Sequence, residues 1–202
     1  MTRIKLCGLS RPCDIAYANE LRPEYVGFIF ARRSRRYVLP DRAAELKRLL
    51  APEIKAVGVF VNDAPEHIAG LLNKGIVHMA QLHGSEDEEY IGQLRKLTDK
   101  PIIKAFRIEE AADIEKAGQS TADQVLLDSG AGTGTAFDWN LIKEMKRPYF
   151  LAGGLSPDNV SGAVTLLHPF AVDVSSGIET DGVKDKEKMA AFVAAVREVN
   201  KA

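Results

Sequence analysis

The sequence has neither a long apolar run nor many cysteines. No hydrophobic segment approaches the roughly 18 residues that a membrane-spanning helix needs, and the first residues, Met1 to Lys5, lack the apolar core of a secretion signal. The two cysteines, Cys7 and Cys13, stand without the neighbouring ligands of a metal site. These absences favour a cytoplasmic protein whose thiols stay reduced and which contacts no membrane.

The sequence also lacks an excess of either charge. Its formal net charge is -1 and it has no sustained basic tract, which argues against a surface for nucleic acid or lipid. We interpret the one basic cluster, Arg32 to Arg36, as a local loop that binds an anion. With 202 residues, of which 46% are hydrophobic, the chain can bury the core of one domain, which we expect to cover residues 1–202.

Eight short apolar runs alternate along the chain with patterns typical of amphipathic helices, such as Val160, Ala163, Val164 and Leu167. This alternation predicts a parallel sheet that is covered on both faces. Eight units of about 25 residues fit a closed (β/α)8 barrel, the TIM-barrel fold, better than an open sheet. The predicted strands are Arg3–Cys7, Tyr25–Phe30, Lys55–Val61, Val77–Leu82, Pro101–Phe106, Gln124–Asp128, Tyr149–Ala152 and Ala171–Val174.

Polar residues predict where three of the helices begin. Asn62 and Asp63, ahead of Pro65, are expected to cap the third helix. The segment 85–88, Ser85 to Glu88, has the spacing of a capping box for the fourth helix. The sixth helix is expected to begin near Asp138.

Two strand ends near the end of the chain suggest a phosphate site. One predicted strand runs into Gly153 and Gly154, and the next runs into Ser175, Ser176 and Gly177. Glycine lets backbone N–H groups approach a ligand closely, and a following helix start favours an anion. In (β/α)8 barrels the loops after strands 7 and 8 commonly hold phosphate.

Cys7 and Asp128 end the first and sixth predicted strands on the same active face of such a barrel. Asp128 could act there as an acid. Cys7 could act as a base if the ammonium group of Lys5, two residues earlier, lowers its pKa towards neutrality. Each residue also has a structural interpretation, Cys7 as a small buried side chain and Asp128 as a helix cap or ion-pair partner.

The strand ends carry an ordered set of sequence blocks. They are Ile4 to Gly8, Val26 to Phe28 with Ser34 to Tyr37, Val57 to Asn62, Gln81 to Gly84, Leu127 and Asp128, Gly132 to Gly134 with Phe137 to Trp139, Ala152 to Leu155, and Val172 to Glu179. Any single block is unspecific, whereas the ordered set is specific. Together the blocks resemble the phosphoribosylanthranilate isomerase family over the whole chain.

The resemblance implies an enzyme of tryptophan biosynthesis that needs no cofactor and no metal. Its reaction would be an Amadori rearrangement that turns N-(5'-phosphoribosyl)anthranilate into 1-(o-carboxyphenylamino)-1-deoxyribulose 5-phosphate. By the same resemblance, Asp128 is the general acid that opens the ribose ring, and Cys7 is the general base that removes the C2' proton. The expected partner is a phosphorylated sugar, and the protein could be a monomer or a homodimer.

The resemblance also assigns residues that bind substrate. Arg36 matches an arginine that pairs with the anthranilate carboxylate, a contact suited to its forked donors. His83 could orient the substrate or hold its own loop, and Asp173 could contact a ribose hydroxyl or fix the eighth strand. The expected substrate-binding set is Arg36, His83, Gly153, Gly154, Asp173, Ser175, Ser176 and Gly177.

Two alternatives stay open at this point. One is the histidine-pathway sugar isomerase on the same fold, although position 7 is cysteine where a two-aspartate site would be expected. The other is a non-catalytic barrel that only binds phosphate. The loop after strand six departs from the family pattern at Ala131 and Thr135, so its closure over the substrate could differ.

Overall fold

A computed structural model describes residues 1–129 and 139–201 and shows a closed barrel of eight parallel strands in sequence order, which confirms the predicted fold class. The barrel strands are β1 (Arg3–Cys7), β2 (Tyr25–Ile29), β3 (Lys55–Phe60), β4 (Met79–Leu82), β5 (Ile102–Arg107), β6 (Gln124–Asp128), β7 (Tyr149–Ala152) and β8 (Ala171–Val174). All eight predicted strands are present, with ends that differ by at most two residues.

A helix follows each barrel strand. The helices are α1 (Pro12–Leu21), α2 (Pro40–Leu49), α3 (Pro65–Asn73), α4 (Glu88–Arg95), α5 (Ala111–Gln119), α6 (Trp139–Lys143), α7 (Val160–Leu167) and α8 (Lys186–Val199). Among residues 1–129 and 139–201, none of the helices combines the length and apolar character needed to cross a membrane.

Alternation along the strands divides the core into two layers. Ile4 and Leu6 of β1 point outwards and pack with the helices, whereas Lys5 and Cys7 point into the barrel. The other strands follow this rule, so that an inner cluster fills the barrel. Its members are Tyr25, Val57, Met79, Ile103, Ala105, Leu126, Phe150, Ala152 and Ala171.

Pairing between β1 and β8 closes the barrel. Lys5 is in register with Asp173, and their side chains form an ion pair of 2.8 Å inside the barrel. Just outside the strands, the backbone N–H of Thr2 donates to Asn200 Oδ1 at 2.7 Å, and Asn200 Nδ2 donates back to the Thr2 carbonyl at 2.8 Å. The two ends of the chain are therefore fastened together.

The predicted caps of α3 and α4 are wrong. The cap position of α3 is Ala64. Asn62 does not cap the helix, because its side-chain oxygen accepts hydrogen bonds from the backbone and hydroxyl of Ser85. The α4 cap is Asp87, whose carboxylate accepts from Tyr90 N. In both cases tertiary contacts of the neighbouring loop decide how these polar side chains are used. The predicted start of α6 at Asp138 lies outside the described residues.

A small insertion after β8 was not predicted from the sequence. A 3-10 turn, Ser176–Ile178, leads into a two-stranded antiparallel hairpin of β9 (Glu179–Thr180) and β10 (Val183–Lys184). The hairpin is short because its turn needs only Asp181 and Gly182, both at positive φ. It places two charged side chains, those of Glu179 and Lys184, beside the eighth strand end.

Gly27 of β2 faces Cys7, and a Cβ atom at position 27 would lie 2.6 Å from the Cys7 sulfur. We expect Gly27→Ala to lower the free energy of unfolding by about 1–3 kcal/mol, because the extra methyl group overpacks the barrel interior. Gly92→Ala in α4 is the control, since the added methyl group meets no neighbouring group of the described residues. Gly92→Ala should raise the free energy of unfolding by about 0.5–1 kcal/mol. Urea unfolding of both variants measures the difference, and equal effects would contradict the predicted clash.

Candidate active site

A cavity of about 340 Å³ opens at the carboxyl end of the barrel. Its walls come from β1 to β4 and β6 to β8 and from the loops after β2, β3, β4, β7 and β8. Nine of the ten site residues predicted from the sequence line it: Cys7, Arg36, His83, Asp128, Gly153, Gly154, Asp173, Ser175 and Ser176. Residues from distant parts of the chain thus meet at one hollow.

Cys7 lies above the buried ion pair of Lys5 and Asp173. Lys5 is 0% exposed, and although burial would lower its pKa, the nearby Asp173 carboxylate raises it above the usual value. Burial raises the pKa of the Cys7 thiol, Lys5 lowers it and Asp173 raises it, with a net upward shift. The expectation that Lys5 brings the pKa of Cys7 towards neutrality is therefore wrong, because burial outweighs a charge that Asp173 largely neutralises.

Asp173 also has an oxygen that Lys5 does not use. Lys5 Nζ contacts Oδ2, whereas the buried Oδ1 has no hydrogen-bond partner among the described residues. An unpaired buried oxygen costs about 1–3 kcal/mol unless a ligand supplies a donor. Since Asp173 lines the cavity, Oδ1 can accept a hydrogen bond from a ligand hydroxyl.

A row of three polar side chains crosses the cavity floor from β4 to β6. Gln81 Nε2 lies 2.8 Å from His83 Nδ1, and His83 Nε2 lies 3.3 Å from Asp128 Oδ2. The loop that carries His83 is held from behind, because Lys104 Nζ donates to the Gly84 carbonyl at 2.7 Å and pairs with Glu86 at 3.0 Å. The arrangement connects Asp128 to a group that can donate or accept a proton.

The loops after β7 and β8 form another part of the cavity rim. Gly153 and Gly154 have φ values of 94° and 60°, a conformation that L side chains rarely adopt, so this turn favours glycine. The Ser175 hydroxyl donates to the Cys7 carbonyl at 3.1 Å and is thereby used within the protein. Gly177 does not line the cavity and packs against the Leu155 carbonyl, which joins the two loops.

Glu179 connects the arginine loop after β2 to the segment after β8. Its carboxylate accepts from Arg36 Nε at 2.5 Å and Nη2 at 2.8 Å, and from Lys184 Nζ at 2.6 Å. Lys184 is 1% exposed at its side chain and also donates to the Ser175 carbonyl at 2.8 Å. Burial would raise the pKa of Glu179, but the hydrogen bonds from Arg36 and Lys184 lower it to about 2.

The contact with Glu179 also fixes how Arg36 can bind a ligand. A guanidinium has five N–H donors, and Glu179 takes the edge formed by Nε and Nη2. The opposite end, Nη1 with the second hydrogen of Nη2, has no carboxylate partner among residues 1–129 and 139–201 and can still grip one bidentately. The Arg36 side chain is thus held in one orientation by Glu179 and lines the cavity.

Sequence reasoning missed three residues at this site: Gln81, Glu179 and Lys184. Gln81 is visible in hindsight, because alternation places it inside the barrel two residues before His83. Glu179 and Lys184 depend on the hairpin after β8, which had no recognised pattern. Ala131 and Thr135, where the sequence departs from the family, lie outside the described residues.

A closed (β/α)8 barrel with a thiol, a carboxyl group and glycine-rich loops around one cavity at its carboxyl end defines a barrel enzyme that acts on a small molecule. Residues 4–195 match the model of the N-(5'phosphoribosyl)anthranilate (PRA) isomerase family. The chain therefore belongs to this family. Of the three functions left open by the sequence, membership selects the isomerase.

Relatives extend the likeness over the whole chain. An N-(5'-phosphoribosyl)anthranilate isomerase of Endomicrobium trichonymphae is 42% identical over 202 residues, which cover 98% of this chain and 99% of the relative. A crystal structure of phosphoribosyl anthranilate isomerase in complex with reduced 1-(o-carboxyphenylamino)-1-deoxyribulose 5-phosphate is 35% identical, with a TM-score of 0.88 and coverage of 98% and 100%. A crystal structure of monomers generated from the dimeric phosphoribosylanthranilate isomerase of Thermotoga maritima has the same identity and coverage, with a TM-score of 0.87.

We expect Glu179→Gln to destabilise the protein by about 3 kcal/mol at neutral pH, because it leaves the buried Lys184 without a counter-charge. The pKa of Glu179 is about 2 in the folded protein against an ordinary value of 4.5. A lowered carboxyl pKa contributes stability that is present above pH 4.5 and is lost as the pH falls towards 2. The gap between wild type and variant should therefore shrink over that interval in urea unfolding. A gap that is independent of pH would refute this prediction.

Proposed function

We propose that the chain catalyses the rearrangement of N-(5'-phosphoribosyl)anthranilate to 1-(o-carboxyphenylamino)-1-deoxyribulose 5-phosphate with Asp128 as general acid and Cys7 as general base. The reaction is a step of tryptophan biosynthesis. The observation that carries the proposed roles is that Cys7 and Asp128 end β1 and β6 and line the same cavity, with the loops after β7 and β8 at its rim.

In the first step Asp128 gives its proton to the ribose ring oxygen. The bond between that oxygen and C1' breaks, and the nitrogen lone pair forms a C1'=N iminium cation. A carboxyl group can donate only while it is protonated, and a site that is partly closed to water favours that form. His83 lies 3.3 Å from Oδ2 and can donate a hydrogen bond to the carboxylate that remains.

In the second step Cys7 removes the proton from C2', and the electron pair of that bond neutralises the iminium. The product is an enolamine, which becomes the ketone when C1' takes the proton that Cys7 now carries, which regenerates the thiolate, and the C2' hydroxyl loses its proton. That hydroxyl proton can restore the acid form of Asp128, so that protons balance and no cofactor is consumed. The iminium cation adds to Lys5 and Lys184 in favouring a thiolate, which offsets the burial that raises the pKa of Cys7.

Three groups would hold the substrate around these steps. The loops that contain Gly153, Gly154, Ser175 and Ser176 would bind the phosphate through backbone N–H groups. The unpaired Oδ1 of Asp173 would accept a hydrogen bond from a ribose hydroxyl. The outer end of Arg36 would bind the anthranilate carboxylate.

Cys7→Ala and Asp128→Asn should each lower kcat by about 10² to 10⁴, because positioned proton-transfer groups contribute on that scale. The measurement is the decay of substrate fluorescence with freshly formed N-(5'-phosphoribosyl)anthranilate. Cys13→Ala is the control, since this half-buried thiol in α1 lies outside the cavity lining. Turnover close to that of wild type in either site variant would remove the altered residue from the mechanism.

Arg36→Ala should raise KM for the anthranilate sugar by about tenfold or more with a smaller change in kcat, because it removes a charge-assisted contact to a group that does not react. Arg35→Ala is the matched control. Arg35 also pairs with Glu179, at 2.7 Å, but does not line the cavity. If both variants raise KM equally, the carboxylate is held elsewhere and the two arginines only support the loop.

A further inference from the structure

Gln81 is a polar side chain inside an otherwise mostly apolar barrel wall. It is 1% exposed and stands between Val59 of β3 and Ile103 of β5 in the strand register. Its amide nitrogen lies 2.8 Å from His83 Nδ1, whereas its Oε1 is buried with no partner among the described residues. Such an orphan oxygen is unfavourable, and a methionine or leucine would avoid it.

The position of His83 does not depend on Gln81. The His83 backbone N–H donates to the Phe60 carbonyl at 2.8 Å, and Lys104 holds the carbonyl of the next residue, Gly84, at 2.7 Å. The backbone of this turn is thus anchored by β3 and β5. What Gln81 adds is a side-chain contact at Nδ1, and with its amide nitrogen on that side Gln81 is a donor that determines which nitrogen of His83 carries the proton.

A donor at Nδ1 requires that this nitrogen is unprotonated, so the neutral ring carries its hydrogen on Nε2. Nε2 lies 3.3 Å from Asp128 Oδ2. A proton on Nε2 at this distance stabilises, by electrostatic attraction, the carboxylate that forms when Asp128 gives up its proton.

We propose that Gln81 is a positioning residue, which fixes the tautomer of His83 and thereby prepares Asp128 to donate its proton. This inference rests on the proposed role of Asp128 as general acid. It explains why an amide with an orphan oxygen occupies a site that an apolar side chain would fill at lower cost. Residues that break a local packing rule are expected where function requires them.

The chain offers a matched control for this proposal. Gln124 at the start of β6 also has a buried Oε1 without a partner among residues 1–129 and 139–201, but it lies at the other end of its strand from Asp128. Methionine at either position removes an orphan oxygen at similar volume. Both Gln81→Met and Gln124→Met should therefore keep or raise Tm.

Turnover should separate the two variants. Gln81→Met should lower kcat by about 10-fold to 100-fold, by analogy with the outer partners that orient metal-bound histidines, with KM changed less than about twofold. Gln124→Met should leave kcat unchanged. A wild-type kcat in Gln81→Met, or an equal loss of kcat in both variants, would overturn the proposal.

Two further measurements separate this proposal from the role of Asp128. Nitrogen-15 NMR of the wild-type protein, with His83 assigned through His83→Asn, should show the proton on Nε2, and a proton on Nδ1 alone would refute the inference directly. In an Asp128→Asn background, Gln81→Met should cause no further loss of kcat, because both act on one step. Full activity of Asp128→Asn alone would instead refute the role of Asp128 as general acid, and it would leave the NMR result on the His83 tautomer unaffected.

Discussion

The ion pair between Lys5 and Asp173 is the contact on which the site depends. It lies inside the barrel where β1 meets β8, and its two partners are almost wholly shielded from water. Each charge would be very unfavourable there alone, so the pair forces the first and last strands into one register. That register places Cys7 next to the eighth strand end and brings Asp173, whose second oxygen has no partner among the described residues, to the cavity wall.

A second charge cluster, around Glu179, supports the other half of the cavity. Its carboxylate joins the arginine loop after β2 to the hairpin after β8, and Lys184 continues the contact to Ser175. The two ends of a bound substrate would therefore be held by parts of one connected network. Because Glu179 occupies only one edge of the Arg36 guanidinium, the same contact orients the arginine and leaves its outer end for binding.

Local patterns made the barrel predictable, since alternation and helical spacing depend on neighbours in the sequence. The strand ends, and with them Cys7, Asp128 and the glycine loops, followed from the same patterns. The caps of α3 and α4 did not follow from these patterns, because Asn62 and Ser85 bond to each other across two loops. The effect of Lys5 on Cys7 did not follow either, because Asp173 on β8 pairs with Lys5. The role of Gln81 could not be predicted for the same reason, because it depends on a buried oxygen without a partner, which is visible only in the packed structure.

The contacts of Thr2 with Asn200 and of Lys5 with Asp173 determine when the barrel can close during synthesis. The partners are 198 and 168 positions apart, so they can meet only after the segment through α8, or through β8 for the ion pair, has left the ribosome. Until then the nascent β1 carries an ammonium group that has no counter-charge and must stay hydrated. Burial of the Cys7 thiol therefore follows the synthesis of β8, and a translation product truncated before β8 would hold Cys7 open to solvent and oxidants.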